Sequence, residues 1–111
     1  MKVAVIGSRG LTVPDLERYL PPDTTEIITG GAQGVDASAA AYARRHGLKL
    51  TVFLPDYAQY GRRAPLLRNL EIIVHSELVL AFWDGKSRGT AFVIDRCQKR
   101  GTPVKVFYPG K

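Results

Sequence analysis

The chain has little cysteine and no long hydrophobic run. Cys97 is the single cysteine among 111 residues, which excludes an internal disulfide and a cysteine-based zinc cage. The longest uninterrupted apolar run, residues 78–83, is far shorter than the roughly 20 residues that a transmembrane helix needs. The four apolar residues after Lys2 are likewise too few for a signal-peptide core. These absences predict a cytoplasmic protein with no membrane partner.

The size and composition of the chain are those of one globular domain, which we expect to span residues 1–111. A mass of 12.2 kDa allows a real hydrophobic core but leaves no room for separate cofactor and substrate domains. Hydrophobic residues make up 45% and charged residues 23%, and these values exclude a disordered, collagen-like or coiled-coil chain.

Positive charge is concentrated in the second part of the chain. Residues 1–43 carry 3 basic and 5 acidic side chains, a net charge of −2, whereas residues 44–111 carry 13 basic and 5 acidic side chains, a net charge of +8. Ten of the sixteen cations are arginines, whose planar guanidinium group suits phosphate. The charge pattern favours an anionic partner; surface cations that only keep the protein soluble are the alternative.

Short β-rich runs alternate with helical patterns along the chain. The predicted strands are residues 3–6, 26–29, 49–54, 78–83 and 104–107. The predicted helices are residues 12–20, 35–46, 66–75 and 90–100, and residues 55–65 are a predicted loop. The first strand is apolar at every position, which is typical of a central strand buried on both faces. Thr12 is the expected N-cap of the first helix, and Pro21 is its expected end.

This alternation of strands and helices predicts a parallel sheet with right-handed crossovers and helices on both faces. We expect one Rossmann-like three-layer α/β/α domain, with five strands in the order 3-2-1-4-5. Such sheets bind ligands at the carboxyl ends of their strands, where the winding reverses, here between strands 1 and 4. The loops that meet at this point are all glycine-rich: residues 7–10, 30–34 and 84–89.

The loop after strand 4 is the best candidate for a phosphate site. A glycine-rich loop that enters a helix exposes backbone N–H groups and the positive end of the helix dipole. Gly89 would let the backbone approach an anion, and Ser87 and Thr90 have hydroxyl donors; a simple turn with Thr90 as helix cap is the alternative. The spacing matches neither the P-loop nor the G-x-G-x-x-G fingerprint, because Thr29 occupies the first glycine position of the latter. We therefore predict no NAD, ATP or other resident cofactor.

Several other side chains have two interpretations. Asp36, in the first turn of a predicted helix, either accepts hydrogen bonds from ribose hydroxyls or complements the helix dipole. Arg68 and Glu71, three residues apart, predict a surface ion pair from their spacing alone. Three aromatic side chains lie near arginines in the sequence and are suited to stacking on a base: Tyr57, Tyr60 and Trp83. For Trp83, at a strand end, closure of the hydrophobic core is the alternative. The sequence shows no catalytic triad, paired-carboxylate site or metal cluster.

Four segments of the chain form a recognisable pattern. They are Val5-Ile6-Gly7-Ser8-Arg9, the glycine-rich residues 29–36, Arg68-Asn69, and residues 81–90 from Ala81 to Thr90. Together they resemble the small YspA-like branch of the SLOG superfamily, over essentially the whole chain. That superfamily includes the Lonely Guy phosphoribohydrolases and the Rossmann-like core of the DNA-processing protein A family. Its small members are thought to bind nucleotides or nucleotide-derived signals.

The resemblance implies a ligand pocket built by the three glycine-rich loops. The phosphate-facing loops would be those of Gly30 and Gly89, with Asp36 and Arg68 pointing into the pocket. The full set of predicted ligand-binding residues is Gly7, Ser8, Arg9, Gly30, Gly31, Gly34, Asp36, Arg68, Asn69, Trp83, Asp84, Ser87, Arg88, Gly89 and Thr90.

The resemblance leaves enzymatic activity open. Lonely Guy enzymes use an arginine from a segment similar to that of Arg68 and a glutamate three residues after the threonine of their glycine-threonine motif; here that position is Val93. We therefore expect binding of a nucleotide or nucleotide-derived small molecule, as a sensor or carrier. A nucleoside-monophosphate phosphoribohydrolase with Arg68 as candidate catalytic residue, or binding of single-stranded DNA, are the alternatives. A homo-oligomer is possible, because related folds often dimerise.

Overall fold

Five short parallel strands form the centre of the computed structural model, which describes residues 1–109. The strands are β1 (Lys2–Gly7), β2 (Glu26–Thr29), β3 (Lys49–Val52), β4 (Leu78–Phe82) and β5 (Val104–Phe107). Their order in the sheet is β3-β2-β1-β4-β5, with all neighbouring pairs parallel. The predicted Rossmann-like α/β fold and its strand order are confirmed.

The helices are α1 (Val35–Arg45), α2 (Tyr57–Tyr60), α3 (Ala64–Val74) and α4 (Arg88–Arg100). Helix α1 contacts β1, β2 and β3, whereas α4 contacts β4 and β5 and packs against α3. None of the helices within residues 1–109 is long and apolar enough to cross a membrane.

Alternating side chains of the sheet build two hydrophobic cores, one on each face. On β1, Val3 and Val5 belong to the core under α1, and Ala4 and Ile6 belong to the core under α3 and α4. This division follows from the two-residue period of a strand. Residues 3–6 of β1 and all residues of β2 and β4 are buried because both faces of these strands are covered, as the apolar residues 3–6 predict.

The prediction of a helix over residues 12–20 is wrong. Only a 3-10 turn, Leu16–Arg18, forms there. Pro14 and Pro21 limit a helix that starts at Pro14 to residues 14–20, about two turns, which is too short for cooperative helix formation. Apolar packing holds the segment instead, because Val13 and Leu16 are buried in the core under α1. The N–H of Val13 also donates to Ser38 Oγ, 3.2 Å away on α1.

Several predicted boundaries shift by one or two residues. Strand β3 ends at Val52 and β4 at Phe82, and helices α3 and α4 each begin two residues earlier than predicted. The predicted loop at residues 55–65 contains the short helix α2, because the Asp56 side chain accepts a hydrogen bond from the N–H of Gln59 and caps it. Ser87, not Thr90, is the N-cap residue of α4.

The close approach of β1, β4 and α1 requires glycine at position 7. A Cβ on Gly7 would overlap the carbonyl oxygen of Phe82 and the side chain of Val35. Three residues further on, a Cβ on Gly10 would meet no heavy atom within 4 Å. The same added methyl group is therefore crowded at one end of this loop and free at the other.

We expect Gly7→Ala to lower the free energy of unfolding by about 1–3 kcal/mol, because the added carbon forces the backbone or Val35 to move. Gly10→Ala should change stability by less than about 0.5 kcal/mol. Urea denaturation of both variants measures the difference. Equal losses in the two variants would contradict the close packing at Gly7.

Candidate functional site

A cavity of about 370 Å³ lies at the carboxyl ends of β1 and β4. It opens where the winding of the sheet reverses, which is where open α/β sheets bind ligands. Ten of the predicted ligand-binding residues line it: Gly7, Ser8, Arg9, Asp36, Arg68, Asn69, Asp84, Ser87, Gly89 and Thr90. The structure thus brings together predicted residues from the loops after β1 and β4, from the first turn of α1 and from α3. Their role in ligand binding stays a prediction.

A network of hydroxyl groups joins the loop after β1 to the start of α4. Ser8 Oγ lies 2.7 Å from Ser87 Oγ, and Ser87 Oγ donates to Thr90 Oγ1 at 3.2 Å. The N–H of Asp84 donates to Ser8 Oγ at 3.1 Å. Because Ser8 and Thr90 are buried, this network gives the cavity wall between β1 and β4 a defined geometry.

Asp84 orders the loop that leads into α4. Its Oδ1 accepts hydrogen bonds from the N–H groups of Lys86 and Ser87, each at 2.8 Å. These two bonds hold the pKa of Asp84 below its usual range, so its carboxyl group is ionised at neutral pH. Trp83 supports the same loop, since its Nε1–H donates to the carbonyl of Ser87 at 3.0 Å.

The N-terminus of α4 has three backbone donors without acceptors in the described part of the chain, and two of their residues, Gly89 and Thr90, line the cavity. The first helical hydrogen bond runs from the N–H of Ala91 to the carbonyl of Ser87. The N–H groups of Arg88, Gly89 and Thr90 find no acceptor within residues 1–109, and the hydroxyl of Ser87 is turned to Ser8 and Thr90 instead of capping them. These donors add to the positive end of the helix dipole.

Asp36 holds the loop after β2. Its Oδ2 accepts hydrogen bonds from the N–H groups of Gly30 at 3.1 Å and Ala32 at 3.2 Å. Burial raises the pKa of Asp36, and the Ala32 donor, the positive charge of Arg68, the Gly30 donor and the Thr29 hydroxyl oppose that rise. The two interpretations from the sequence omitted this role, in which the carboxylate organises the backbone of its own glycine-rich loop.

Arg68 extends from α3 across the carboxyl ends of β2 and β3. Its Nη1 donates to the carbonyls of Gly30 and Phe53, and its Nε donates to Asn69 Oδ1 at 2.9 Å. Burial lowers the pKa of Arg68, while the carboxylate of Asp36 opposes that lowering. The spacing of Arg68 and Glu71 predicted an ion pair, and within the described residues this pair does not form. The guanidinium of Arg68 turns into the cavity, whereas Glu71 stays exposed.

Five predicted residues lie outside the cavity lining: Gly30, Gly31, Gly34, Trp83 and Arg88. Gly30 lies beneath Arg68 and Asp36, where a Cβ would be 2.5 Å from Arg68 Nη1. Gly34 has a φ of +75° and packs against the carbonyls of Arg9 and Leu11, so that the first two loops can touch. These glycines shape the cavity from behind its surface.

Five lining residues were not among those predicted: Ile6, Gly10, Ala32, Pro65 and Val93. Gly10 and Ala32 belong to glycine-rich loops that the sequence identified, so the pattern could have found them. Pro65 is placed there only by the packing of α3. Within residues 1–109 no group of three or more His, Cys, Asp or Glu side chains is arranged to hold a metal ion.

The fold and this cavity define a Rossmann-like α/β protein with a ligand crevice at the reversal point of its sheet. The YspA, cpYpsA-related SLOG family pattern matches residues 1–60. Gene 61 protein of Mycobacterium phage D29 is 34% identical over 116 aligned positions, which cover 93% of each chain. No solved structure matches the chain at a significant level. The chain therefore belongs to the YspA, cpYpsA-related SLOG family, as its motifs indicated.

The raised pKa of Asp36 predicts a pH dependence of stability. As pH rises above 3.8, the usual value, the unfolded state loses the Asp36 proton before the folded state does. The free energy of unfolding of the wild type, relative to that of Asp36→Asn, should therefore fall as the pH rises toward the raised pKa of Asp36 and should level off at higher pH. Urea denaturation of both proteins between pH 4 and pH 8, as an approximate range, measures this. A relative stability that increases with pH would contradict it.

Removal of the Asp36 acceptor should be costly at every pH. Asp36→Ala leaves the buried N–H of Gly30 without its partner, for which we expect a loss of about 1–3 kcal/mol. Asp36→Asn keeps an acceptor oxygen at the same place and serves as the control. Chemical denaturation compares the two variants, and equal stabilities would argue against the loop-ordering role.

Proposed function

We propose that this protein binds a nucleotide or nucleotide-derived ligand in the cavity, as a sensor or carrier, with a phosphate group at the N-terminus of α4. The observation that carries the proposal is the set of three N–H groups at Arg88, Gly89 and Thr90 that lack acceptors within residues 1–109. Backbone donors of this kind, with the helix dipole behind them, suit phosphate oxygens. Within residues 1–109 the neighbouring hydroxyl of Thr90, which accepts from Ser87 Oγ, keeps its own proton for a further polar contact.

The charges around the cavity support an anionic ligand. Arg9 and Arg68 both line it, and the positive charge of Arg9 adds to the lowering of the Arg68 pKa that burial causes. Two cations that repel each other across a cavity are stabilised when an anion lies between them. Asp84 faces the same space but is engaged by two backbone donors of its own loop.

Family membership supports the same class of ligand. The matched residues 1–60 contain the loops after β1 and β2, and the phage relative extends the similarity over most of the chain. SLOG proteins are associated with nucleotide-related ligands in general. The loop after β4 lies beyond residues 1–60, so the phosphate site proposed here rests on the geometry of α4 itself.

Gly89→Asp should abolish binding. A Cβ at position 89 meets no heavy atom within 4 Å, so the fold accepts the side chain, but its negative charge occupies the phosphate position. Nucleotide at 100 times its dissociation constant should stabilise the wild type by about 2.7 kcal/mol and should not stabilise the variant. Thermal shift with AMP, ADP, ADP-ribose, ribose 5-phosphate and inorganic phosphate is the measurement.

Ala41→Asp is the matched control, because it makes the same charge change on the exposed side of α1. This control should keep the full thermal shift. A shift that survives in Gly89→Asp would place the anion elsewhere. No shift with any of these compounds would argue against nucleotide binding altogether.

A second candidate function is phosphoribohydrolase activity, which the state of Asp36 favours. Hydrolysis of an N-glycosidic bond adds water to C1′, and the departing base takes up a proton, which a carboxylic acid can supply. Asp36 lines the cavity with a raised pKa, so it retains its proton to higher pH than an ordinary aspartate. Asp84 has a lowered pKa and is a poor proton donor. In this candidate function Asp36 takes the role of the glutamate that Lonely Guy enzymes have at the position of Val93.

If this candidate is correct, Asp36→Asn should lower the release of ribose 5-phosphate from a nucleoside monophosphate by about 100-fold or more. Binding of the same monophosphate should persist, because the amide oxygen can still accept from Gly30 and Ala32. Asp84→Asn is the control and should retain activity. A product assay on the four common monophosphates tests this, and no release from any of them would eliminate the candidate.

A further inference from the structure

Exposed apolar and aromatic side chains are concentrated beside the cavity. Within residues 1–109 seven large hydrophobic side chains are exposed, and four of them lie in residues 52–60: Val52, Leu54, Tyr57 and Tyr60. Leu54 is 69% exposed and Tyr57 is 58% exposed. These four side chains, at the end of β3 and on α2, are called the aromatic platform below. Burial of this surface against a ligand would be favourable.

Arg68 and the loop after β2 link the segment of the aromatic platform to the cavity. Arg68 lines the cavity, and its Nη1 donates to the carbonyl of Phe53, the residue before Leu54. Burial lowers the pKa of Arg68, and Asp36 and then Tyr57 oppose the lowering, so the Tyr57 hydroxyl lies within electrostatic range of the guanidinium. Leu54 also lies over the backbone of Gly31, where a Cβ would be only 2.7 Å from its Cδ2 atom.

We infer that the aromatic platform is the base-binding part of the site, where the ring of a nucleobase stacks on Tyr57 and against Leu54. The inference rests on the proposed function, because the phosphate of the same ligand would lie at Arg68 and the N-terminus of α4. It deepens that function by naming the ligand class: a nucleotide with its base, in preference to a sugar phosphate alone. An aromatic ring beside a cation accepts the π-face of any base, and a bare sugar phosphate has no group to cover it.

The charge pattern of the platform distinguishes a nucleotide from a purely apolar partner. Arg62 and Arg63 follow α2 directly and are exposed, and Arg68 donates to the carbonyl of Phe53 in the same segment. Apolar rings surrounded by cations match a molecule that joins a flat ring to phosphate. A lipid chain or an apolar protein surface would desolvate these arginines without pairing them.

Titration calorimetry with AMP, GMP, CMP, UMP and ribose 5-phosphate tests the inference. The wild type should bind at least one nucleotide more tightly than ribose 5-phosphate. Tyr57→Ala should lower the affinity for that nucleotide by about 5- to 150-fold and leave the affinity for ribose 5-phosphate unchanged, because only the base touches the ring of Tyr57. Tyr57→Phe keeps the ring and should restore most of the affinity. Val74→Ala removes an exposed apolar side chain from the C-terminal end of α3, outside the cavity lining, and should have no effect.

Each other outcome points to a different failure. Equal affinity of the wild type for ribose 5-phosphate and for every nucleotide would overturn the inference while the proposed function survives. If Tyr57→Ala lowers the affinities for the nucleotide and for ribose 5-phosphate equally, the substitution disturbs the whole site, and this result would also overturn the inference. Absence of binding by all five compounds would defeat the proposed function, and the inference with it. If the protein binds only a thymidine oligonucleotide, and this binding is lost in Tyr57→Ala and in high salt, single-stranded DNA binding would replace both the proposed function and the inference.

Discussion

The pairing of β1 with β4 is the constraint on which the site depends. Gly7 lies opposite Phe82 at the end of this ladder, and the N–H of Ser8 continues it by donating to the carbonyl of Phe82 at 3.0 Å. Because chain connections leave β1 and β4 toward opposite edges of the sheet, the pair forms the floor of a crevice that nothing in the sheet fills. The close approach requires glycine at position 7, and the hydroxyls of Ser8 and Ser87 then meet across the join.

The charged side chains of the site have two roles: some order the loops of the protein, and others face the cavity. Asp36 and Asp84 both use carboxylate oxygens to hold backbone N–H groups, and this fixes two glycine-rich loops that have little side-chain packing of their own. Their pKa values move in opposite directions, because Asp36 is buried whereas Asp84 is exposed enough for hydrogen bonding to dominate. With these acids engaged, Arg68 and the start of α4 give the cavity its attraction for anions.

Most of the fold was predictable because its strands are short, apolar and separated by glycine-rich loops. The alternation of strand and helix, together with the right-handed crossover rule, leaves few strand orders, and the observed one is the Rossmann-like order that we expected. The failure at residues 12–20 has a physical cause, since caps and an apolar stripe do not stabilise a helix of only about two turns, the length that Pro14 and Pro21 leave. The surface ion pair expected for Arg68 failed for a related reason: residue spacing describes one helix in isolation, whereas the carbonyls of Gly30 and Phe53 come from other elements.

The sequence by itself determined the fold class, the family and the three loops that build the crevice, because each of these depends on residue type and short-range order. Ten of its fifteen candidate residues line the cavity for that reason. Only the tertiary structure decided that Asp36 holds its own loop, that Arg68 spans β2 and β3, and that four large hydrophobic side chains of residues 52–60 are exposed. Such contacts join elements far apart in the chain, and their geometry follows from packing, which local sequence patterns do not encode.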